Sequence, residues 1–559
     1  MSSPGIIGID LGTTNCALAY TRDDAVVVFS IPQLVNPDEE REEPLLPSFL
    51  FLGEPPIVGV LAQKKGLDNA GRLVSSAKSW LSHAGVDRTA PILPPNAPEG
   101  VPKVSPVETS RRYLQHLRDA WNEKHGNFDE HQVLVTVPAS FDAVARDLTL
   151  KAAEEAGYRN VILLEEPQAA FYAWIERHPD WRERVHVGDL ILVIDIGGGT
   201  TDFTLIAVRE REGELMLERI AVGDHILLGG DNIDVALAHH VATQIPQKLD
   251  AMQFHALWQQ CREAKERLLA ADQNEKDAGV TILGRGTGLV GGTIKTKIKR
   301  AEIEQILLDG FLPAVSIDEV PQRRRAGLAE MGLPYASDAA ITRHLGYFLK
   351  RQGATPTHVL FNGGVLRADL IRRRILEVLN GWLPRPVTPL VGEDLMHAVA
   401  RGAAYYGLAR QGKGVRIRGG VPRSYYVGIE TAMPAVPGFP APLKALTVAP
   451  FGMEEGTGHT FPNRVFALTV GEPAQFRFFQ SATRKDDAPG SLIEDVGDDF
   501  EELAPIEVFL PGNAGESVPV TLEALVTETG VMELWCVARD GRRWKLEFNV
   551  RTPSESVPA

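Results

Sequence analysis

Two separate stretches of the chain carry residues suited to holding a phosphate chain. Residues 6–14 read IIGIDLGTT, and residues 192–201 read LVIDIGGGTT. Each is a short apolar run, predicted as a buried strand, that ends in an aspartate and turns through glycine and threonine. Glycine turns offer unhindered backbone N–H groups and threonine adds a hydroxyl, and both kinds of group bind phosphate oxygens. The repeat predicts two related lobes that each present one turn to the same ligand.

Asp10 and Asp195 end the two runs and are candidate ligands for Mg²⁺ through its bound waters. Mg²⁺ takes oxygen ligands and dehydrates reluctantly, so carboxylates commonly hold it in this way. For either motif alone, the alternative is an ordinary hairpin turn, because glycine turns are common. Two units of strand, aspartate and Gly/Thr turn, about one lobe apart, favour a cleft between lobes.

The elements around these motifs alternate between strand and helix. Strands are predicted at residues 133–138, 161–164 and 357–362, and helices at residues 143–156, 168–176, 254–271 and 395–410. This alternation indicates α/β lobes. We expect the first lobe at residues 1–186 and the second at residues 187–410.

The pattern changes after residue 410. Residues 411–421 are Gly-rich and basic, which is the composition of a flexible linker. Residues 422–552 contain short alternating runs separated by Gly, Pro and Asp, one of them at residues 475–479, and predict an all-β sandwich. Residues 553–559 form a short tail rich in Pro and Ser.

Composition narrows the class of protein. A chain of 559 residues exceeds what one hydrophobic core organises, so several domains are expected. The net charge of -15 argues against a nucleic-acid partner. No run of eighteen apolar residues and no basic leader with an apolar core occur, so we expect no membrane partner and a cytoplasmic location. Three widely spaced cysteines exclude a disulfide framework and indicate reduced thiols.

Several motifs together resemble the seventy-kilodalton heat-shock chaperone family, DnaK-like proteins included, within the actin-like ATPase superfamily. They are GIDLGTTN at residues 8–15, VPASF at 137–141 with Arg146, EP at 166–167, residues 195–202, LGGDNID at 228–234, AK at 264–265, NGG at 362–364 with Arg367, and residues 398–404. In order and spacing they cover nearly all of residues 5–410. The resemblance implies a two-lobed ATPase with ribonuclease-H-like lobes, followed by a peptide-binding β-sandwich.

The resemblance also implies roles for individual residues. Lys78 matches the lysine that reaches the γ phosphate, and Glu166 and Asp202 would orient the attacking water. The catalytic set is Lys78, Glu166, Asp195, Thr200 and Asp202. The implied nucleotide contacts are Gly12, Thr13, Thr14, Asn15, Gly197, Gly198, Gly199, Thr200, Gly229 and Gly230 at the phosphates, and Lys265, Gly363, Gly364 and Arg367 at the adenosine. Without the family, Lys78 reads as a helix-surface cation and residues 166–167 as a helix start.

The implied cofactors are ATP or ADP with Mg²⁺, and K⁺ is a further candidate cation. The implied partners are unfolded or extended peptide segments and co-chaperones. We therefore expect a slow ATPase that acts as an Hsp70-like chaperone, in which nucleotide state gates a peptide-binding β-domain. Two alternatives stay open: an ATP-dependent interaction or scaffold protein that does not hydrolyse ATP, and a small-molecule kinase of the same superfamily.

The chain departs from the family pattern at several positions. Ser79 and Gln168 replace the usual Arg and Thr, Glu266 replaces an Arg that packs on adenine, and Leu269 and Val365 replace hydroxyl residues. An acid near adenine removes a stacking cation, so we expect weaker or altered nucleotide affinity.

Two further departures concern the second half of the chain. The family's linker is acidic and aliphatic, so the basic linker here predicts altered coupling. Nine residues, 551–559, follow the last predicted strand, too few for the family's helical lid, which predicts fast peptide release.

Overall fold

The computed structural model describes residues 5–549, apart from residues 84, 96, 160, 212–213, 271–273, 284–292, 323–332, 334, 393, 414–416, 419–420, 422, 432–442, 454–455, 482, 485, 498, 504–505 and 528–530. The predicted tail at residues 553–559 and residues 414–416 and 419–420 of the predicted linker lie outside this part of the chain. Contacts divide the chain into two compact units, one of residues Met1–Phe141 and Asp147–Arg416, the other of residues Asp142–Arg146 and Ile417–Ala559.

The first sheet of the larger unit is built around the first motif. Its strands lie in the order Val161–Glu165, Gln132–Val137, Ile6–Leu11, Asn15–Arg22 and Ala25–Val28, with Leu46–Pro47 beside Asn15–Arg22. The first three strands are parallel and the last two antiparallel. The parallel strands are apolar runs that are buried along nearly their whole length, as expected for a sheet covered on both faces.

A second sheet repeats this arrangement around the second motif. Its strands in the larger unit lie in the order Thr388–Leu390, His358–Asn362, Leu190–Ile196, Thr201–Arg211 and Glu214–Val222. Again the motif strand has a parallel neighbour on one side and an antiparallel neighbour on the other. The expected mixed α/β architecture with two related sheets is therefore present.

Helices and short strands account for much of the rest of the described residues up to 410. The helices are Val60–Asp68, Ala77–Leu81, Pro106–Lys124, Ala143–Glu155, Glu166–Arg177, Trp181–Arg184, Gly230–Thr243, Ala251–Leu268, Arg300–Gln305, Ile341–Gln352, Asp369–Trp382 and Ala398–Arg410. Further strand pairs are Ile31–Asn36 with Glu39–Glu43, Leu50–Phe51 with both Ile57–Val58 and Leu73–Val74, and Asp277–Leu283 with Thr293–Lys299. The predicted helix at 254–271 begins earlier, at Ala251, because Asp250 and Gln253 form a reciprocal cap of side chain to backbone hydrogen bonds.

The helix Ala398–Arg410 packs on the first sheet, although it follows the second sheet in sequence. Its small residues allow close approach: a Cβ atom on Gly402 would lie 1.7 Å from the carbonyl oxygen of Ala169 in the helix Glu166–Arg177. The chain therefore returns to the first lobe before residue 410, which differs from the expected assignment of residues 187–410 to one lobe.

The smaller unit is rich in strands. One sheet has the order Leu492–Ile493, Leu443–Ala449, Ser424–Glu430, Phe478–Ser481 and Glu501–Glu502, and another has the order Thr457–Val470, Glu516–Val526, Val531–Ala538 and Arg543–Asn549. Both sheets contribute to one apolar core, for example through Val427 and Leu534. The predicted single strand at 475–479 is wrong: Pro473–Phe476 pairs with Ile506–Phe509, and Phe478–Ser481 pairs with Ser424–Glu430, because the chain changes partner at Arg477.

The three cysteines, Cys16, Cys261 and Cys536, are free and buried, which confirms the prediction of reduced thiols. Burial raises the pKa of each thiol to about 12. Of the helices in the described ranges, none has both the length and the apolar character needed to cross a membrane.

Candidate active site

The two glycine and threonine turns are hairpins that face each other. The first joins Ile6–Leu11 to Asn15–Arg22, and the second joins Leu190–Ile196 to Thr201–Arg211. A Cβ atom on Gly198 would lie 1.9 Å from the Thr14 hydroxyl oxygen. Each motif is thus a hairpin turn, which was the alternative for either motif alone. The contact between the two turns nevertheless places both at one site.

The second turn is fixed to the start of a helix. The N–H of Gly230 donates to Gly197 O at 3.0 Å, and that of Asp231 donates to Gly198 O at 2.7 Å. A Cβ atom on Gly229 would lie 2.6 Å from the same two carbonyl oxygens. The positive end of the helix Gly230–Thr243 therefore lies beside the turn, where it favours negative charge.

The first turn is held by Ser48, which was not predicted from the sequence. Its hydroxyl donates to Gly12 O at 2.7 Å, and its N–H donates to Thr14 O at 2.8 Å. Next to the turn, Asn15 pairs with Pro47 across the strands. Ser48 lies 36 residues beyond Gly12 in a stretch without a recognisable motif, so only the folded chain reveals it.

Lys78 is buried at the site and forms an ion pair with Glu166. Its side chain is 7% exposed, so the helix-surface alternative for Lys78 is wrong. Burial alone would lower the pKa of Lys78, but the carboxylates of Glu166 and Asp10 outweigh it and raise the pKa above its usual value. Lys78 therefore stays protonated and supplies a fixed positive charge close to the first aspartate.

Asp10 and Asp195 are both influenced by the charge of Glu166 and bind protons more tightly than ordinary aspartates. Burial raises the pKa of Asp10 to about 7, against the opposing effect of Lys78. Burial, and then the charge of Glu166, raise the pKa of Asp195 to about 8. Both residues keep part of their surface accessible to solvent.

The oxygen donors at this site fit a hydrated Mg²⁺ ion. The described residues contain no cluster of three or more His, Cys, Asp or Glu side chains suited to binding a metal directly. Two carboxylates without a complete protein cage match the preference of Mg²⁺ for keeping several waters. Asp10 and Asp195 would hold such an ion through those waters, and this role stays a prediction.

Asn362 and Gly363 hold Asp195 in position. Asn362 is the parallel neighbour of Asp195, is buried, and donates from Nδ2 to Asp195 Oδ2 at 2.7 Å. Gly363 has a φ of +93°, and a Cβ atom there would lie 2.3 Å from Ile196 O and 2.6 Å from Asp195 Oδ1. Only glycine fits this position beside Asp195, and the contact with adenosine that the resemblance implied stays a prediction.

Asp202 lies directly across the antiparallel pair from Asp195. Its Oδ1 accepts a hydrogen bond from the Ser140 hydroxyl. His225 Nδ1 lies 2.8 Å from Ser140 Oγ and 3.3 Å from Asp202 Oδ1. Thr200, which lies between Asp195 and Asp202 in sequence, is half-buried within the second turn. His225 carried no signal in the sequence, because its role depends on residues 23 and 85 positions away.

The predicted adenosine residues lie together only in part. Lys265 Nζ forms an ion pair with the buried Asp234 at 2.6 Å, and lies 3.7 Å from where a Cβ on Gly230 would be. Val365 approaches the same Gly230 position at 3.0 Å. Gly364 and Arg367 are exposed, and no ion pair of Arg367 is found among the described residues.

Glu266, the departure expected to weaken base binding, is 59% exposed and pairs with Arg262 one turn earlier in the same helix. Arg262 Nε lies 3.2 Å from Glu266 Oε1, and its Nη1 lies 3.8 Å from Asp231 Oδ1. Arg262 therefore supplies a guanidinium beside Glu266 and Asp231, although Arg262 was not singled out from the sequence.

The paired sheets, the facing turns and the buried Lys78 define a two-lobed α/β protein with a site for an anionic ligand at the turns. Comparison with known proteins identifies the family. A family model described as Hsp70 protein matches residues 6–312, over half of the chain. The chain belongs to the Hsp70 family, which confirms the resemblance found in the sequence.

Individual relatives agree with this assignment. Proteins named Chaperone protein HscA homolog from Ralstonia nicotianae and Ralstonia pickettii are each 30% identical over 412 residues, which is 71% of this chain and 57% of the relative. A protein of the same name from Cupriavidus necator is 31% identical over 287 residues, 49% of this chain and 43% of the relative. The chain therefore spans less than two thirds of the length of these relatives.

Proposed function

We propose that this chain binds ATP with Mg²⁺ at the facing turns and hydrolyses it slowly, as the ATPase part of an Hsp70-like chaperone. The observation that carries the proposal is the buried Lys78, paired with Glu166 and close to Asp10 beside both turns. A preorganised cation in a partly enclosed site stabilises the charge that develops on a transferring phosphoryl group.

The proposed roles follow from the donors and acceptors at the site. Backbone N–H groups of residues 12–15 and 198–200, with the hydroxyls of Thr13 and Thr14, bind the phosphate oxygens. Gly229 and Gly230 complete the cradle by letting the start of the helix approach the turn, since their own N–H groups donate to Asn232 Oδ1 and Gly197 O. Asp10 and Asp195 would hold Mg²⁺ through its waters, and the bound ion would neutralise phosphate charge; K⁺ is a further candidate cation. Glu166 and Asp202 orient the attacking water. No covalent intermediate on the protein is needed, because positioning and electrostatics supply the catalysis.

The second part of the proposal concerns the strand-rich unit. We propose that it binds unfolded or extended peptide segments and that nucleotide state changes its affinity for them. The support is the family assignment, relatives whose names describe them as chaperones, and a smaller unit with its own apolar core. A β-domain can take an extended peptide through main-chain hydrogen bonds and side-chain pockets. Co-chaperone partners and a cytoplasmic location stay predictions.

Single-turnover ATP hydrolysis by the full chain, with and without an unfolded peptide, tests the proposal. We expect slow hydrolysis that responds to peptide and falls at least about a hundredfold in Lys78→Ala, since a fixed charge at the phosphate is lost. Lys151→Ala is the matched control, because Lys151 is 53% exposed in the helix Ala143–Glu155 and contacts only Glu155 in the same helix among the ion pairs described. An unchanged rate in Lys78→Ala would contradict the proposal.

Two other outcomes would point to the alternatives. Bound ATP that stays intact over hours, together with ATP-dependent sedimentation, would indicate an interaction or scaffold protein. A burst of ADP that depends on an added sugar would indicate a small-molecule kinase. The departures at Ser79 and Glu266 are the features that favour the first of these.

A further inference from the structure

A chain of hydrogen bonds beside the site involves His225, which lies in no motif, and Ser140, which lies in the VPASF motif but has no implied role. Ser140, Asp202 and His225 come from three separate segments: the loop after the strand Gln132–Val137, the strand Thr201–Arg211, and the loop before the helix Gly230–Thr243. Ser140 belongs to the expected first lobe, whereas Asp202 and His225 belong to the second. The chain of hydrogen bonds therefore connects the two lobes next to the phosphate turns.

The donors and acceptors fix the direction of these hydrogen bonds. The Ser140 hydroxyl carries one hydrogen and donates it to Asp202 Oδ1. His225 Nδ1, at 2.8 Å from Ser140 Oγ, must then carry a hydrogen and donate it to that oxygen. The remaining nitrogen, His225 Nε2, is buried and has no hydrogen-bond partner within the described residues. No hydrogen bond found there therefore favours the tautomer that carries its hydrogen on Nε2.

Ser140 and His225 both contact Oδ1 of Asp202, and neither of these contacts involves Oδ2. Asp202 is buried and lies across the sheet from Asp195, so two carboxylates share a small volume. Hydrogen bonds to an ionised carboxylate are stronger than neutral ones and restrict its rotation. The ring of His225 is itself held by an edge contact with Phe141, at 5.7 Å between ring centres.

We propose that Ser140 and His225 are positioning residues that align Asp202 for its role in orienting the attacking water. Because Ser140 reaches across from the other lobe, Asp202 is aligned only when the two lobes are in the arrangement seen here. This inference rests on the proposed ATPase function. It makes hydrolysis dependent on lobe closure through one serine hydroxyl and one imidazole.

Single-turnover hydrolysis by the full chain, with ATP affinity measured in parallel, provides the first test. Ser140→Ala is expected to lower the rate constant about tenfold or more, because Asp202 loses its alignment, while the Kd for ATP changes less than about threefold. Ser140→Thr keeps the hydroxyl and is expected to recover most of the rate. Ser110→Ala is the matched control, because Ser110 is a more deeply buried serine of the first lobe whose hydroxyl donates within its own helix, to Pro106 O.

The results separate the two proposals. An unaltered chain that binds ATP without hydrolysing it overturns the proposed function. A chain that hydrolyses ATP normally, with Ser140→Ala as fast as the unaltered chain, overturns only the positioning role. A loss in Ser140→Ala that Ser140→Thr does not recover also overturns it, since a general packing defect would then explain the loss.

A second measurement reads the hydrogen bonds without hydrolysis. In the full chain labelled with ¹⁵N-histidine, His225 is assigned by the signal lost in His225→Gln. We expect a ring protonated at Nδ1, and a changed Nδ1 signal in Ser140→Ala but not in Ser110→Ala. A ring protonated only at Nε2, or a signal that Ser140→Ala leaves unchanged, would refute the arrangement.

Discussion

Replacing Gly363 by alanine tests whether the strand end beside Asp195 is as tightly constrained as the geometry indicates. With φ of +93° and ψ of +149°, Gly363 occupies a backbone region that is nearly exclusive to glycine. Forcing an alanine there costs about 1–3 kcal/mol in backbone strain. The new methyl group would also collide with backbone atoms of Ile196 at 2.3–2.5 Å, and such overpacking costs about 1–3 kcal/mol more.

The expected loss for Gly363→Ala is therefore about 2–6 kcal/mol of local stability. Gly353→Ala is the control: Gly353 also has a positive φ, +58°, but a Cβ atom there meets nothing within 4 Å. Its expected cost is about 1 kcal/mol, from the backbone alone. Native-state hydrogen exchange gives the opening free energy of the strand His358–Asn362 and of the helix Ile341–Gln352 separately.

The same substitution should also affect ligand binding, because the methyl group would lie 2.6 Å from Asp195 Oδ1. We expect Gly363→Ala to bind Mg²⁺·ATP at least about tenfold more weakly, and Gly353→Ala to bind it normally. Equal losses of stability in the two variants, with normal Mg²⁺·ATP binding in both, would refute the reasoning.

Two further predictions concern buried charges. Arg219→Met should lower the free energy of unfolding by about 3–5 kcal/mol, measured by urea denaturation, because it removes the guanidinium that forms a buried ion pair with Glu165; Glu165→Met in the same chain should recover most of the loss. Asp10 and Asp195 bind protons more tightly in the folded state, so their contribution to stability without Mg²⁺ is complete below about pH 4 and is lost as pH rises through about 7–8. Over the same range Mg²⁺ affinity should increase, since binding releases those protons. Denaturation at pH 5 and 9 and Mg²⁺ titration check both signs, and Asp195→Asn should flatten both profiles.

The sequence was most informative where local chemistry suffices. The two turns and their aspartates were predicted because strand, aspartate and glycine are consecutive in the chain, and the structure brings both turns together. The helix Ala251–Leu268 begins three residues before the predicted start at residue 254, because the cap formed by Asp250 and Gln253 precedes the first apolar residues of the helical pattern.

The remaining features depend on contacts between distant residues. Nothing near Lys78 indicates that it is buried, since its partner Glu166 lies 88 residues away. Ser48 and His225 likewise act through the folded chain. The false continuous strand at 475–479 has the same origin, because alternation along a strand does not reveal that its two halves pair with different partners.

Because all three cysteines are buried, motion of the lobes can be measured with labels on cysteines introduced elsewhere. Maleimides and related reagents attack the thiolate, and with a pKa of about 12 only about one native thiol in 10⁴ or fewer is ionised near neutral pH. Cysteines introduced at exposed positions on the two lobes can therefore be labelled with fluorophores while Cys16, Cys261 and Cys536 stay in place. Energy transfer between such dyes would report, in real time, how far the lobes separate as nucleotide enters and leaves.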